Sequence, residues 1–272
     1  MNAQADKTRS AILFTHGHAP GVEEGAARAG EIAAEQGWKV VDPDDPAAEA
    51  AELCLVLGGD GSILKALSHV GKDGPPVFGV NFGRVGFLAA VDGPDLEEGL
   101  SAAFRGEIEV IDLPGLKVSL GDSIETALND VSFSRRPAGG VAELGYQIAG
   151  EEVGHVRCDG LVASTPTGST GYNLANNGPI LAWGVEGYVV SYIAPHSLTA
   201  RALVVAPDDV LHVVNHRSRD SVEVMVDGTK VGELEPGSET AVEYSPGLAR
   251  LAQLPGANFY HRIREKFGHL AV

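Results

Sequence analysis

The segment 57–62, with the sequence LGGDGS, has the residue types of a phosphate-binding turn. It directly follows the apolar run 53–57, which predicts a buried strand, and it precedes a helix predicted from 62 to 70. Ligands of open α/β sheets bind at the carboxyl ends of the strands. Glycines at such a place let the backbone approach phosphate oxygens, and the N-terminus of a helix offers free N–H groups to an anion.

Asp60 is the only carboxylate among these glycines. Its position suits either coordination of a metal ion or removal of a proton from an attacking hydroxyl group. The same residue would also serve as an ordinary turn former between a strand and a helix. The turn by itself leaves both interpretations open, and it is not a Walker loop because no Gly-Lys-Ser/Thr sequence follows.

Two further clusters follow predicted strands or turns. The segment 81–88, NFGRVGFL, combines glycines that would allow close contact with a ligand and two phenylalanines, Phe82 and Phe87, that could wall a base. The alternative is a loop whose aromatic side chains belong to the core.

The pair Asn129 and Asp130 supplies hydrogen-bond donors and acceptors suited to ribose hydroxyls or adenine. On its own, however, an Asn-Asp pair more often forms a turn.

The fourth cluster is the long segment 158–173, CDGLVASTPTGSTGYN. A predicted strand runs into a turn rich in Ser, Thr, Gly and Pro, and a short helix follows. Hydroxyl and N–H groups converge there without positive charge, which suits a polar or phosphate-bearing ligand, and Tyr172 could stack on a base. A turn and helix cap rich in hydroxyl groups explains any one of these residues but not the whole stretch.

The predicted secondary structure that must position these clusters differs between the first third of the chain and the rest. Apolar strands alternate with helices in the first third, which predicts a Rossmann-like parallel α/β domain. From about 106 the segments are short, rich in valine and separated by turns, which predicts a mostly β, sandwich-like domain. We therefore expect domains at 1–105 and 106–251. A final helix within 252–272 is expected to pack back on the first domain.

Composition excludes several classes of protein. The chain has 272 residues and a formal net charge of −17, so generic binding to nucleic acid or to an anionic membrane is not expected. The two cysteines, Cys54 and Cys158, give neither a disulfide framework nor a zinc pattern, which favours a reducing, cytoplasmic setting. The sequence offers no apolar stretch of the ~20 residues that a membrane helix needs, and its first residues lack an apolar signal core.

Taken together, the clusters resemble the NAD kinase family. GGDG, NFGRVGFL, the pair Asn129-Asp130 and the segment DGLVASTPTGSTGYNLANNGPIL occur in the order that this family shows, over roughly residues 53–244. The segments APHSL at 194–198 and VDG at 226–228 are also similar. The sequence departs from the family at Gly171, where alanine is usual, at Asn176-Asn177, and at Lys65, where arginine is frequent.

The resemblance implies transfer of the γ-phosphoryl group of ATP, or of polyphosphate, to the 2′-hydroxyl of the adenosine ribose of NAD. It implies Asp60 as the catalytic base or metal-assisting carboxylate, a divalent metal such as Mg²⁺ without ligands fixed by the protein, and a site between the two domains. A homodimer or homotetramer in the cytoplasm is expected. The implied phosphate contacts are Gly58, Gly59, Gly61, Ser62 and Lys65. The implied NAD contacts are Gly61, Phe87, Asn129, Asp130, Arg157, Asp159, Thr170, Gly171, Tyr172, Asn173 and Ala194.

Two alternatives compete with this interpretation. Diacylglycerol and sphingosine kinases share a similar GGDG turn, but the chain has neither the basic surface excess nor the apolar anchor expected of an enzyme at a membrane. A non-catalytic NAD(P)-binding sensor would have no need of Asp60.

His16 and His18, near the ligand edge of the predicted sheet, are expected to be loop residues rather than metal ligands. His155, His196, His261 and His269 have no ligand spacing in the sequence.

Overall fold

The computed structural model describes residues 9–15, 20–83, 86–216 and 219–268. Contacts between residues divide the chain into two units, 1–112 with 249–272, and 113–248. The boundaries predicted from the sequence lie after 105 and before 252. The structural boundaries fall inside two long strands rather than in loops, because each strand contributes one part to each unit.

Strands and helices alternate in the first part of the chain, and strands predominate in the rest. The elements of the first part of the chain are β1 (Arg9–Thr15), α1 (Val22–Glu35), β2 (Trp38–Val41), β3 (Leu53–Gly58), α2 (Asp60–Val70), β4 (Val77–Asn81), β5 (Val91–Asp92) and α3 (Leu96–Phe104). The remaining elements are β6 (Glu109–Leu120), β7 (Ser123–Ala127), β8 (Asp130–Arg135), β9 (Ala142–Ile148), β10 (Glu151–Cys158), β11 (Gly160–Ser164), α4 (Tyr172–Ala175), β12 (Tyr188–Ile193), β13 (Leu203–Val205), β14 (Leu211–Asn215), β15 (Val222–Val226), β16 (Thr229–Leu234), β17 (Glu239–Gln253) and α5 (Phe259–Phe267).

The first unit is built on a parallel sheet. Its strands lie in the order β17, β4, β3, β1, β2, and β17 contributes only its last residues, with Leu251 opposite Val77. Every residue of β3 and β4 is buried. Strands that are apolar throughout are typical of parallel sheets whose two faces are covered by helices. The glycine turn and the NFGRVGFL segment each follow a strand, as predicted, and the structure makes these two strands neighbours in the sheet.

The last helix belongs to the first unit. The side chain of Asn258 accepts the backbone N–H of Tyr260 at 2.8 Å and so caps the N-terminus of α5. Ile263 is the buried residue of α5, and the ring of Phe267 lies 5.3 Å from the ring of Phe87. The prediction that a C-terminal helix packs back on the first domain is thereby confirmed.

The second unit consists mainly of antiparallel strands. One sheet has the order β13, β12, β11, β8, β15, β16, and another runs β10, β9, β14 and the first part of β17. Buried side chains from both sheets, among them Phe133, Leu144, Tyr188 and Val213, form a single hydrophobic cluster. Two sheets that share one apolar core make a sandwich, which confirms the predicted fold class.

The long strand β17 was not among the segments that the sequence singled out. Pro246 and Gly247 interrupt its pattern, and such residues normally argue against a strand. Gly247 has a φ of 58°, a conformation that glycine adopts without strain. In the part of the chain that the structure describes, no helix has both the length and the apolar character needed to cross a membrane.

Candidate functional site

Asp60 is the first residue of α2, directly beyond the end of β3. Its carboxylate accepts two backbone N–H groups, that of Phe87 at 2.7 Å and that of Leu88 at 3.1 Å. The contact arises because β3 and β4 are neighbours in the sheet, with Gly58 opposite Asn81. Asp60 therefore holds the end of the segment that follows β4, in addition to any chemical role.

Burial raises the pKa of the Asp60 carboxyl group above its usual range. The N–H groups of Phe87 and Leu88 and the charges of Arg262 and Lys266 act in the opposite direction, but desolvation is the largest effect. A raised pKa makes this carboxylate a stronger base than an exposed aspartate. Its two oxygens offer more lone pairs than the two N–H bonds use, so a hydroxyl proton or a cation can still be accepted.

Arg262 of α5 binds the same segment through its carbonyl groups. Its guanidinium donates to the carbonyl oxygen of Phe87 at 3.1 Å, to that of Ala89, and to the side-chain oxygen of Gln253. The amide of Gln253 in turn donates to the carbonyl oxygen of Leu88 at 2.9 Å. The segment 87–89 is thus fixed by Asp60 on its N–H groups and by Arg262 and Gln253 on its carbonyl groups. No sequence pattern singled out Arg262 or Gln253.

The glycines beside Asp60 leave space around the turn. A Cβ atom built on Gly59 or Gly61 would meet no described atom within 4 Å. Packing against the described residues therefore does not require glycine at these two positions. Close approach of a ligand to the backbone would require it. The other predicted phosphate contacts differ in exposure, since Gly58 and Ser62 are buried and the side chain of Lys65 is exposed on α2.

The two phenylalanines of the NFGRVGFL segment pack within the first unit. Phe82 lies against α1, where a Cβ atom on Gly25 would come within 2.8 Å of its ring. Phe87 is buried beside Phe267. The contacts of both rings are those of core residues, and the contribution of Phe87 near Asp60 is its backbone N–H. Arg84 and Val85, in the middle of this segment, lie outside the described residues.

In the second unit, the carboxylate of Asp227 organises the Asn129-Asp130 pair. It accepts the backbone N–H groups of Leu128 and Asn129, both at 2.8 Å, and that of Asp130 at 3.1 Å. Asp227 and Gly228 form the two-residue turn between β15 and β16, with φ of 46° and 79°. Positive φ at both positions is typical of the tight hairpin turn for which Asp-Gly is a preferred sequence.

These residues open onto a cavity of the second unit. Burial and the negative charge of Asp227 raise the pKa of Asp130 to about 7. The side-chain oxygen of Asn129 is buried without a hydrogen bond from any described residue. Such an amide beside a partly protonated carboxyl group provides donors and acceptors for a polar ligand. The cavity has a volume of about 440 Å³ and is lined by Asn129, Asp130, Ser132, Ser134, Tyr172, Glu223, Met225, Asp227 and Gly228.

Tyr172 contributes an aromatic surface to this cavity. Its side chain is 41% exposed, so its ring is accessible. It follows Thr170 and Gly171, and a Cβ atom on Gly171 would meet only the carbonyl oxygen of Gly168, at 3.3 Å, among the described atoms. A flat aromatic side chain next to small residues suits stacking on a base.

Most hydroxyl groups of the preceding turn point inward rather than toward a ligand. Thr165 donates to the carbonyl oxygen of Leu128 at 2.7 Å, and Ser169 donates to that of Pro166, also at 2.7 Å. A Cβ atom on Gly168 would lie 2.2 Å from the carbonyl oxygen of Asn129. The expectation that the hydroxyl groups of this turn converge on a ligand is corrected for these two side chains, because Thr165 binds the backbone of Leu128 and Ser169 binds the backbone of the turn itself.

The side chain of Asn173, which is predicted to contact NAD, is engaged in hydrogen bonds within the second unit. Its side chain is fully buried, and its amide donates to the carbonyl oxygens of Ser169 at 3.0 Å and Pro179 at 2.9 Å. Its side-chain oxygen accepts the hydroxyl group of Ser191 at 2.8 Å. All these bonds are internal, so Asn173 fixes the base of the segment that carries Tyr172.

Asp159, a predicted NAD contact, pairs with Arg135 at the end of β8. The Nε of Arg135 donates to the Asp159 carboxylate at 2.6 Å, and Arg157 is exposed on β10. The backbone N–H of Asp159 donates to the carbonyl oxygen of Ile193 at 2.9 Å. Ala194 comes next with a φ of 44°, a left-handed conformation that is unusual for alanine. Arg135 is a residue that sequence reasoning missed, because strand pairing alone brings it to Asp159.

The histidines divide into those outside and those inside the described residues. His16, His18 and His269 lie outside them. His155 has no ligand spacing in the sequence, yet the structure places it beside His216 and Glu152. Strands β10 and β14, which pair with opposite edges of β9, bring these side chains together, and no local pattern could have indicated this.

Comparison with known families gives two matches along the chain. Residues 28–108 match the model of the ATP-NAD kinase N-terminal domain, and residues 128–254 match that of the ATP-NAD kinase C-terminal domain. An NAD kinase of Rhodopirellula baltica is 36% identical over 80% of this chain and 71% of its own length. One of Thermobifida fusca is 37% identical over 84% of this chain and 73% of its own length.

Solved structures show the same architecture. An NAD kinase from Archaeoglobus fulgidus in complex with ATP superposes with a TM-score of 0.76 at 29% identity, covering 96% of this chain and 97% of its own. Yeast NADH kinase complexed with NADH superposes with a TM-score of 0.85, covering 97% of this chain and 89% of its own. At 21% identity this second likeness concerns the fold alone.

Proposed function

The chain belongs to the NAD kinase family of phosphotransferases, and from the geometry of its two units we propose how it phosphorylates NAD. The γ-phosphoryl group of ATP is transferred to the 2′-hydroxyl of the adenosine ribose, giving NADP. The observation that carries this proposal is Asp60, a carboxylate of raised pKa in an open glycine turn at the end of a central strand.

The turn and the start of α2 serve the phosphates. The free N–H groups at the helix N-terminus favour negative charge, and the missing side chains at Gly59 and Gly61 allow phosphate oxygens to approach the backbone. Lys65 adds a positive charge on the same helix. The ATP bound to the NAD kinase from Archaeoglobus fulgidus supports ATP as the donor. Polyphosphate presents the same oxygen chemistry, so the assay below includes both donors.

Asp60 acts on the attacking hydroxyl group in this proposal. Two N–H bonds and the nearby Arg262 and Lys266 orient its carboxylate, and burial raises its basicity. A general base in this role contributes about 10²–10⁴-fold to the rate. Phosphoryl transfer depends mostly on positioning of the reacting groups and on neutralisation of charge. The hydrogen bonds that fix Asp60 and segment 87–89 therefore contribute to catalysis in this proposal.

A divalent metal, Mg²⁺, is proposed to enter with the triphosphate. Mg²⁺ is usually held by one or two carboxylates together with substrate phosphates, and the lone pairs left on Asp60 fit such a contact. Most ligands of the ion would come from the phosphates, because two N–H groups and two nearby cations already compensate the charge of Asp60. The metal supplies neutralisation of the charge on the transferred phosphoryl group.

The cavity of the second unit is proposed to bind the adenosine half of NAD. Asn129 and Asp130 offer an amide and a carboxyl group to ribose hydroxyls or adenine, and Tyr172 offers a ring for stacking. The Asp159–Arg135 pair, with exposed Arg157 and Ala194, is assigned to the nicotinamide half. The NADH bound in the yeast structure supports a dinucleotide ligand for this fold.

The direct test is product formation. Purified protein is incubated with NAD, Mg²⁺ and either ATP or polyphosphate, and NADP is measured with an NADP-specific dehydrogenase. We expect NADP with ATP and none when the metal is removed by chelation. Binding of NAD without NADP formation under any of these conditions would favour a non-catalytic sensor and contradict the proposal.

Two broader properties are part of the proposal. We infer a cytoplasmic setting, supported by two cysteines that are both free and buried, and a homodimer or homotetramer, supported by the family resemblance. Light scattering coupled to gel filtration measures the mass directly, and a mass of 28.3 kDa would contradict the oligomer.

A further inference from the structure

Three neighbouring strands of the second unit bring two histidines and two glutamates to one sheet face. His155 of β10 is opposite Gly145 of β9, and the backbone N–H of His216, after β14, donates to the carbonyl oxygen of Glu143 of β9 at 2.9 Å. Residues opposite one another in antiparallel strands point to the same face. Glu152 lies on this face as well, opposite Gln147.

The distances within this cluster approach those of a metal site. His155 Nδ1 lies 3.8 Å from one carboxylate oxygen of Glu152, and His216 Nε2 lies 3.3 Å from the other. The two imidazole rings stack with centroids 4.1 Å apart. Ligand atoms arranged tetrahedrally around an ion at ~2.0–2.1 Å are separated by roughly 3.3 Å. The three ligand atoms lie within 4.8 Å of one another, so binding of one ion requires the side chains to rotate toward it.

His216 supplies a second, independent observation. Its Nε2 atom is buried, and despite its proximity to Glu152 it makes no hydrogen bond of acceptable geometry with any described residue. A buried polar atom without a partner is costly. Gly145 creates the room for this ring, because a Cβ atom there would lie 2.5 Å from His216 Nε2.

Glu143 accounts for the orientation of the other histidine. Its carboxylate lies 3.0 Å from His155 Nε2. A carboxylate that accepts the Nε2–H leaves the lone pair of the imidazole on Nδ1, which is the atom that faces Glu152. Metal-binding histidines characteristically donate their other ring N–H to a carboxylate in this way.

We propose that Glu152, His155 and His216 bind a divalent transition-metal ion, best matched by Zn²⁺, with Glu143 as the positioning residue for His155. Two imidazole nitrogens and one carboxylate oxygen form a donor set typical of zinc and leave a fourth position for water. Mg²⁺ prefers oxygen ligands, so this site is separate from the metal that accompanies ATP. The proposal does not depend on the proposed function.

The ion would connect β10 to the end of β14 across β9. Of the three, β10 has a neighbour on one side only in the order of the described strands. A ligand that binds the folded state alone stabilises it by mass action. We therefore expect Zn²⁺ to raise the melting temperature of the second unit.

The experiment uses the untagged full chain, freed of metal and kept in excess Mg²⁺. Titration with Zn²⁺ by calorimetry, and with Co²⁺ by visible absorption, should show one ion per chain and the absorption bands of a low-symmetry, four-coordinate Co²⁺ site. His155→Ala and His216→Ala should each lose this binding. His212→Ala is the matched control, because His212 lies on β14 opposite Gln147, on the same face but outside the cluster. It should bind as the parent does.

Two further variants keep the test decisive. Glu152→Gln removes the ligand charge at an exposed position and should abolish the Co²⁺ bands even if a histidine variant fails to fold. Glu143→Gln should weaken Zn²⁺ binding by about 10–100-fold, as is usual for residues that orient a ligand. Equal binding by the parent, His216→Ala and Glu152→Gln would overturn the proposal, as would equal loss in His212→Ala or the absence of binding by the parent.

Discussion

The carboxylate of Asp227 accepts the backbone N–H of Asn129 at 2.8 Å, although 98 positions separate the two residues. The same carboxylate binds the N–H groups on either side of Asn129, so one hairpin turn fixes three consecutive residues of another segment. The direction of the Asn129 side chain and the position of the Asp130 carboxyl group both follow from this contact. The cavity that we propose to bind adenosine therefore depends on the turn formed by Asp227 and Gly228.

Replacement of Asp227 should damage the protein more than replacement of a similar exposed aspartate. Asp227→Ala leaves three backbone N–H groups without their acceptor, and we expect a loss of about 1–3 kcal/mol in the free energy of unfolding. NAD affinity should fall as well. Asp220→Ala is the control, because the exposed Asp220 carboxylate accepts a long bond of 3.4 Å from the N–H of Gly140. Equal unfolding free energies for the two variants would contradict this account.

The buried Asp130 predicts a specific pH dependence of stability. Its pKa of about 7 in the folded protein exceeds that of an unfolded aspartate, ~3.9, so the folded state binds the proton more tightly. Its contribution to stability is therefore complete below about pH 4 and is lost as the pH rises toward about 7. Asp130→Asn should remove this loss and be more stable than the parent above pH 7, by about 2–4 kcal/mol.

Urea denaturation of the parent and of Asp130→Asn at pH 5 and pH 8 measures this difference. The stability gap between the two proteins should widen with increasing pH. A gap that is constant across this range would show that Asp130 has an ordinary pKa in the folded state.

Tyr172 should contribute to NAD affinity by stacking. The loss of one base–aromatic contact costs about 1–3 kcal/mol, so Tyr172→Ala should raise the Kd for NAD about tenfold or more. Tyr172→Phe keeps the ring and should bind nearly as well as the parent. Tyr260→Ala removes another exposed tyrosine, on α5, and serves as the control for general effects. Calorimetry with NAD gives the three constants, and an unchanged Kd in Tyr172→Ala would argue against stacking.

Asp60 has both a structural and a chemical role, and the two can be separated. Asp60→Asn keeps an oxygen acceptor for one of the two N–H groups but removes charge and basicity. We expect the turnover number to fall about 100-fold or more, with a much smaller change in NAD affinity. Asp92→Asn is a matched control, because Asp92 accepts the side-chain amide of Asn81 at 2.8 Å beside the same segment.

The melting temperature of the Asp60 and Asp92 variants is measured on the preparations used for kinetics. If Asp60 only holds segment 87–89, both variants should melt lower and keep near-normal turnover for the folded fraction. Near-normal turnover in Asp60→Asn would remove this residue from the proposed chemistry.

Arg262 should be required for the rigidity of segment 87–89. Arg262→Lys keeps the charge but cannot reproduce the planar fork that contacts two carbonyl groups and Gln253, so a loss of about 1–3 kcal/mol in stability is expected. Arg264→Lys, at an exposed position of the same helix, should be neutral. Thermal melts of both variants test this, and equal melting temperatures would mean that the guanidinium contacts contribute nothing measurable.

Local patterns were sufficient for the chemistry-bearing segments and the fold class. The apolar runs that become β3 and β4 carry no polar residue that would prevent burial, and each is followed by glycines, so a parallel sheet with ligand-binding ends was readable. Valine-rich segments between turns likewise indicated the second, antiparallel unit. The interrupted strand β17 was missed because Pro246 and Gly247 hide its pattern, and because its two ends pair with different strands.

The amino-acid sequence by itself determined which residues could do chemistry: Asp60 in its glycine turn, the Asn129-Asp130 pair and Tyr172. The tertiary structure alone decided which groups hold them, since Asp227, Arg262 and Arg135 reach their partners across strand pairings and helix packing rather than along the chain. It also turned Asn173 inward and gathered His155 and His216 on one face. Hydrogen bonds and ion pairs between distant residues depend on which strands and helices become neighbours, and the local pattern of one segment does not specify its neighbour.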